Sequence, residues 1–320
     1  MGQSASFNRI ARRAQIDHRY SVLPAGDAHG TLDARGFYAP GAFPTTGERM
    51  QLYKQHALPL ASQALDQLGF PAAASEITHV LVTSCTGFYA PGIDLDIIRA
   101  YGLQPDVERS VIGFMGCYAA INALKLAHHI VTAQSQAVVL IVNIELCTLH
   151  FQETQSIEQS LAFLHFADGC AASIVSSQPH GIALQRFRCA VLPRSDAHIT
   201  WHIGDQGFDM VLSSQVPALL ARELGGLLPD ILATDKDSIR LWAIHPGGRA
   251  VLDAVAKACL INEQAMRHAR HVLREYGNMS SATLMFVFKA LLESGDHGEG
   301  CAMAFGPGLT AETLRFSIAP

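Results

Sequence analysis

Thr78-His79-Val80-Leu81-Val82-Thr83 is rich in β-branched residues and ends in Ser84-Cys85-Thr86-Gly87, which predicts a buried strand running into a polar turn. A second strand is predicted over Ala137-Val138-Val139-Leu140-Ile141-Val142-Asn143. Between them, Tyr118 to Ala133 has helical composition and places Ile121, Leu124, Leu126, Ile130 and Val131 on nearly every face, so this helix is expected to be buried all round. The pattern then returns: a strand at Leu241-Trp242-Ala243-Ile244, helices over Arg249 to Cys259 and Met279 to Leu292, and a strand at Cys301-Ala302-Met303-Ala304-Phe305. Gly295 to Gly300 reads as a loop by composition. Strands alternating with helices predict an α/β protein with mostly parallel sheets. The strand, polar residue and buried helix recur in both halves, so an internal duplication is expected, with residues 1–175 as one half and 176–320 as the other.

The 320 residues suffice for one large or two fused domains. Only 16% are charged, well under the roughly 25% of ordinary soluble proteins, which predicts extensive burial in core or subunit contact. A net charge of -5 leaves no basic excess for a phosphate-backbone footprint, so nucleic acid is not an expected partner. The apolar runs are far shorter than the roughly 18 to 20 residues of a membrane span, and no secretory signal is legible, so a cytoplasmic protein is expected. Seven cysteines without CxxC pairs form neither a disulfide framework nor a zinc site, and no metal is expected.

Three residues stand out for chemistry. Cys117 follows Gly113-Phe114-Met115-Gly116 at the start of the apolar helix, where unpaired N–H groups and the helix dipole favour a thiolate. The competing account is an inert core cysteine. His245 directly follows a strand in His245-Pro246-Gly247-Gly248, a context that holds the imidazole rigidly beside a backbone-lined groove. Asn278 lies in Gly277-Asn278-Met279-Ser280-Ser281-Ala282, and reads either as a helix cap or as an amide donor to a developing oxyanion. Gly306-Pro307-Gly308 closes the last long strand as a turn or as a cavity wall.

Together these segments, with Phe166-Ala167-Asp168-Gly169 and Phe305-Gly306-Pro307-Gly308-Leu309-Thr310, resemble the type III polyketide synthases, the chalcone-synthase-like family of the thiolase superfold. Ser84 to Gly92 is similar to the bacterial branch. The resemblance implies two pseudo-duplicated α/β halves in αβαβα layers, as a homodimer. It also implies that the chain begins where family members have already used several tens of residues, including a first core strand, so that the N-terminal edge is truncated.

The implied activity is decarboxylative condensation of malonyl-CoA onto an acyl-CoA starter, followed by cyclisation to an alkylpyrone, resorcinol or phloroglucinol type. CoA thioesters are substrates, and no cofactor is needed. Cys117 would carry the acyl chain as an imidazolium-paired thiolate with His245, and His245 and Asn278 would donate to the malonyl thioester oxygen. Arg9 and Arg13 match CoA phosphate-binding positions, and Gly247 and Gly248 would line the pantetheine arm. Phe166 matches a gatekeeper; Met210 stands at the second gatekeeper position, where a thioether should widen the passage and admit aliphatic starters. Cavity-wall positions fall on Cys85, Cys147, His150, Gly306, Pro307 and Gly308. The alternatives are a ketoacyl-ACP synthase III, which lacks support in the Gly-Asn-Met-Ser-Ser-Ala wording, a hydroxymethylglutaryl-CoA synthase, whose general-acid glutamate Glu145 could supply only from a non-matching segment, and a noncatalytic thiolase-fold subunit.

Overall fold

The computed structural model describes residues 11–26, 32–70, 74–154 and 156–320. Its first sheet contains β1 (His79–Ser84), β2 (Glu108–Gly113), β3 (Val139–Leu146) and β4 (Asp168–Val175), in the order β2-β1-β3-β4. β1 pairs in parallel with β2 and β3, and β4 runs antiparallel to β3. The second sheet contains β5 (Ile182–Val191), β8 (Leu241–Ile244), β9 (Gly298–Gly306) and β10 (Thr310–Ile318), in the order β5-β10-β9-β8. Here only β8 and β9 are parallel, and β10 is antiparallel to both β9 and β5. The sheets are therefore mixed, not mostly parallel. The return from β9 to β10 through Pro307–Leu309 allows only a reversal, because a parallel partner needs a long crossover, whereas β4 lies antiparallel to β3 although a helix stands between them. A separate hairpin joins β6 (Ile199–Gly204) to β7 (Gly207–Leu212).

The period-two rule of strands explains the layering. Val80, Val82, Leu140 and Val142 point into one core, and Leu81, Val139 and Ile141 point into another. A strand apolar on both faces must be covered on both. Helices α1 (Thr46–Gln67) and α2 (Ile93–Tyr101) cover the outer face of the first sheet. On the inner face, α3 (Ala119–Ala133) packs against β1, β3 and β10. After the short α4 (Ile157–His165), helices α5 (Val216–Leu232), α6 (Arg249–Ala258) and α7 (Arg267–Tyr276) share the core of the second sheet. The last helix, α8 (Thr283–Ser294), touches both sheets through β8 and β4. Both halves thus contain a parallel pair crossed by a central helix and followed by an antiparallel strand.

Two expectations change here. Gly298 to Gly300, read as loop, belongs to β9, because Arg240 N–H donates to Glu299 O and Gly300 pairs with Phe316. Helix α3 is not buried all round: Ile121, Ala123, Leu124 and Ala127 are buried, but Leu126, Ile130 and Val131 are only partly so. Part of this helix faces a groove of about 2130 Å³ that runs along the outer edge of β4, between α1 on one side and α3 and α8 on the other. In the second sheet β5 lies along β10; among the described residues no strand lies in the corresponding place along β4.

Arg49 ties this frame to the site. It is fully buried on α1, and its guanidinium donates to the carbonyls of Pro44, Leu149 and Phe151. These bonds fix the turn at Cys147–His150 that follows β3.

Candidate active site

Cys117, His245 and Asn278 come from three separate junctions and line one cavity, together with Cys85, Cys147, Phe166, Met210, Gly247, Gly306 and Pro307. Cys117 lies in the 3-10 turn Gly116–Tyr118 that leads into α3. Gly116 is required there: its φ is +78°, and a Cβ would stand 2.5 Å from Pro307 Cδ. The Cys117 sulfur is 3.9 Å from Asn278 Oδ1 and 3.9 Å from Ser280 Oγ.

The cap reading of Asn278 has a hydrogen bond behind it. Its Oδ1 accepts from Ser280 N–H at 2.9 Å, which caps the turn Ser280–Ala282. That bond fixes the carboxamide, and Nδ2 donates a long 3.3 Å bond to Gly247 O. The backbone is held as well, since Asn278 N–H donates to His165 O and Ala167 N–H to Asn278 O. Phe166 is thereby bridged directly to Asn278. Ala167, where the family pattern has glycine, is absent from the positive-φ residues, so the methyl causes no backbone strain.

His245 is 1% exposed at the end of β8, and neither ring nitrogen finds a hydrogen-bond partner among the described residues. Buried polar atoms are rarely left so, and a catalytic role is one reason for it. Burial pushes its pKa down to about 3, and burial pushes the Cys117 thiol up to about 12 against the lowering effect of Ser280 and Asn278. Both shifts favour the neutral thiol and imidazole over the imidazolium–thiolate pair that the resemblance implies, because low dielectric disfavours either charge alone.

Not every expected wall residue faces the cavity. His150 is turned away: Nε2 bonds Thr86 O at 2.6 Å, Nδ1 accepts from Phe208 N–H, and the ring stacks on Phe208 at 4.2 Å. Gly308 also lies outside the lining, at φ +107° with its carbonyl accepting from Ser195 Oγ. Trp201, Ile199 and Leu212 from the β6–β7 hairpin supply wall that the sequence reading missed. Gly248 stands beside His165 outside the cavity, and Arg13 is exposed, its carbonyl 3.4 Å from Arg249 Nη1. Arg9 lies outside the described residues. Arg249, the first residue of α6 after the paired glycines, is a further basic group at this place. Among the described residues no cluster of three His, Cys, Asp or Glu could hold a metal ion.

Glu145 is fully buried and faces the nucleophile's neighbours, not the cavity. Ser281 Oγ donates to it at 2.6 Å, Cys85 N–H at 2.9 Å and Thr86 Oγ1 at 2.8 Å. Burial, partly offset by these bonds, raises its pKa from 4.5 to about 7. The folded chain then holds this proton more tightly than the unfolded chain, so its contribution to stability is fully present below about 4.5 and is lost as pH rises towards 7. Glu145→Gln, which has no proton to lose, should melt progressively higher than wild type across that window and then level off. A melting difference that does not vary with pH would show that Glu145 does not titrate there.

The family model for the N-terminal domain of chalcone and stilbene synthases matches residues 3–179, and the model for their C-terminal domain matches 183–319. The chain is 31% identical to the alpha-pyrone synthesis polyketide synthase-like Pks18 of Mycobacterium tuberculosis, over 99% of this chain and 83% of that protein. Among solved structures, 1,3,6,8-tetrahydroxynaphthalene synthase from Streptomyces coelicolor superposes with a TM-score of 0.88 at 26% identity, covering 100% of this chain and 91% of that one. PKS-I from the brown alga Ectocarpus siliculosus superposes at 0.84 and 27% identity, covering 98% and 90%. These matches favour neither a carrier-protein-dependent synthase nor a noncatalytic subunit. The chain belongs to the chalcone and stilbene synthase family and is a type III polyketide synthase of the thiolase fold.

Proposed function

We propose that this cavity is the condensation site and that its product is of the alkylpyrone, resorcinol or phloroglucinol type. The observation that carries the reading is the convergence of Cys117, His245 and Asn278 on one apolar cavity. His245 takes the Cys117 proton as the sulfur attacks the starter thioester, and returns it to the departing CoA thiolate. Malonyl-CoA then loses CO2, and the electrons of the broken C–C bond pass to an enolate whose oxygen accepts hydrogen bonds from His245 and Asn278. The enolate carbon attacks the acyl carbonyl and expels the Cys117 thiolate. An N–H donor suits this step because it stabilises the enolate without supplying it a proton.

Gly247 and Gly248 line the pantetheine arm, with Arg13 and Arg249 towards the CoA phosphates; the position of Arg249 next to Gly248 supports this. The halves divide at 175/176, in the connection between β4 and β5. We assign a homodimer built on the edge strand β2, where Val111 is 46% exposed. No helix among the described residues is long and apolar enough to cross a membrane, and we place the enzyme in the cytoplasm. A mass-spectrometric screen of aliphatic and aromatic acyl-CoA starters with malonyl-CoA tests the function. Cyclised polyketides are expected from aliphatic starters at least as readily as from aromatic ones. Turnover of aromatic starters alone would contradict the role given to Met210.

A further inference from the structure

With Asn278 as donor to the enolate, the rate of decarboxylation depends on where its carboxamide points, and the two residues after it decide that. Asn278 Oδ1 accepts from Ser280 N–H at 2.9 Å, so a flipped carboxamide would set its Nδ2 hydrogens against that N–H, donor to donor. The direction of the Ser280 N–H belongs in turn to the Met279–Ser280 peptide. Ser280 sits at φ +47°, in the left-handed region that residues other than glycine enter at a cost, so its surroundings must hold it there. Thr283, the first residue of α8, is fully buried and does this from the other end of the turn. Its Oγ1 accepts from Met279 N–H at 2.8 Å and donates to Ser280 O at 2.9 Å. One hydroxyl thus binds both ends of the two-residue stretch whose middle carries the orienting N–H. The same oxygen is 3.4 Å from Asn278 Oδ1, close enough to share its hydrogen with the carboxamide. Ser280 O also accepts from Thr283 N–H, whereas Met279 N–H has the hydroxyl as its acceptor. A threonine hydroxyl bonded to the carbonyl three residues back is ordinary at a helix start. The further reach to Met279 N–H and to the carboxamide is not.

We propose that Thr283 is a positioning residue for decarboxylation: its hydroxyl clamps the Met279–Ser280 stretch and so holds the Asn278 carboxamide with Nδ2 free to meet the enolate oxygen. This deepens the reading of Asn278 as an oxyanion donor and rests on it. Thr283 does not line the cavity, so it acts through Asn278 and not on substrate.

The test measures CO2 release from malonyl-CoA by wild type, Thr283→Val, Thr283→Ser, Asn278→Ala and the double variant Thr283→Val/Asn278→Ala. Thr283→Val keeps the shape of the side chain and removes the hydroxyl. It should lower kcat by about tenfold while KM for malonyl-CoA stays within about threefold of wild type, because a misplaced donor is felt in the transition state. Thr283→Ser restores the hydroxyl and should stay within about threefold of wild type in kcat. On the Asn278→Ala background, Thr283→Val should cost less than about twofold, because the group it positions is gone. An unchanged kcat in Thr283→Val, an equal loss in Thr283→Ser, or a full tenfold loss on the Asn278→Ala background would overturn the proposal. If Thr283→Val fails to fold, Thr283→Cys, whose thiol occupies the same place but bonds weakly, decides through the same cycle. Wild type that releases no CO2, or Asn278→Ala that releases it at the wild-type rate, would overturn the assignment of Asn278 and this proposal with it. Asn278→Ala impaired while Thr283→Val is not would overturn the role of Thr283 alone.

Discussion

Cys117→Ala is expected to lower polyketide formation by at least about 10³-fold, because no other group in the cavity can carry the acyl chain. Cys85 and Cys147 line the same cavity, but both are buried, at 4% and 5% exposure against the half-buried Cys117, and the Cys85 sulfur is already engaged by Gly116 N–H. Neither can replace the nucleophile. The substitution removes one sulfur from a half-buried position, so the melting temperature should stay within a few degrees of wild type. The variant retains His245 and Asn278 and should still release CO2 from malonyl-CoA. Polyketide yields near wild type from Cys117→Ala would rule out the nucleophile assigned here.

His245→Ala and Asn278→Ala should each reduce malonyl-CoA decarboxylation by about 10²-fold or more, the loss that follows removal of one oxyanion donor. The two variants should differ in stability. His245 carries two buried nitrogens without partners among the described residues, so its replacement relieves a desolvation penalty and leaves a small cavity. Asn278 caps the turn before α8, and its replacement also costs that cap. Asn278→Asp keeps an acceptor for Ser280 N–H but has no donor for the enolate; it should retain more stability than Asn278→Ala without recovering the rate. CO2 release unchanged in His245→Ala and Asn278→Ala would remove the role given to both residues.

The three candidate catalytic residues are legible because their local contexts constrain them. A glycine before a helix start, a Pro-Gly-Gly after a strand and an asparagine before a short turn each fix a side chain through neighbouring residues alone. Wall residues depend on contacts remote in sequence. His150 was expected in the cavity, but Trp201, 51 positions later, stands in front of it and binds Cys85 O. Met210 was found by its place in a family pattern, whereas its partner Trp201 emerges only from the register of the hairpin. Sheet direction failed for the same reason: periodicity identifies β4 and β10 as strands and says nothing about which neighbour each meets. The loop reading of Gly298 to Gly300 followed composition, which the pairing with β10 overrode.

The flank of β4, along which no strand lies among the described residues, affects how this protein behaves at high concentration. Beyond Asp168, whose N–H donates to Tyr20 O, its outward edge is a template for an extended chain, and the groove beside it, walled by Leu60, Val131 and Phe286, offers apolar cover to whatever settles there. Ser173 Oγ, on the same strand, is buried without a partner among the described residues. That flank shares no lining residue with the catalytic cavity. Colloidal behaviour and turnover can therefore be altered separately, since a lysine introduced along β4 discourages edge-to-edge association, as charges do at the margins of natural sheets, without entering the chamber.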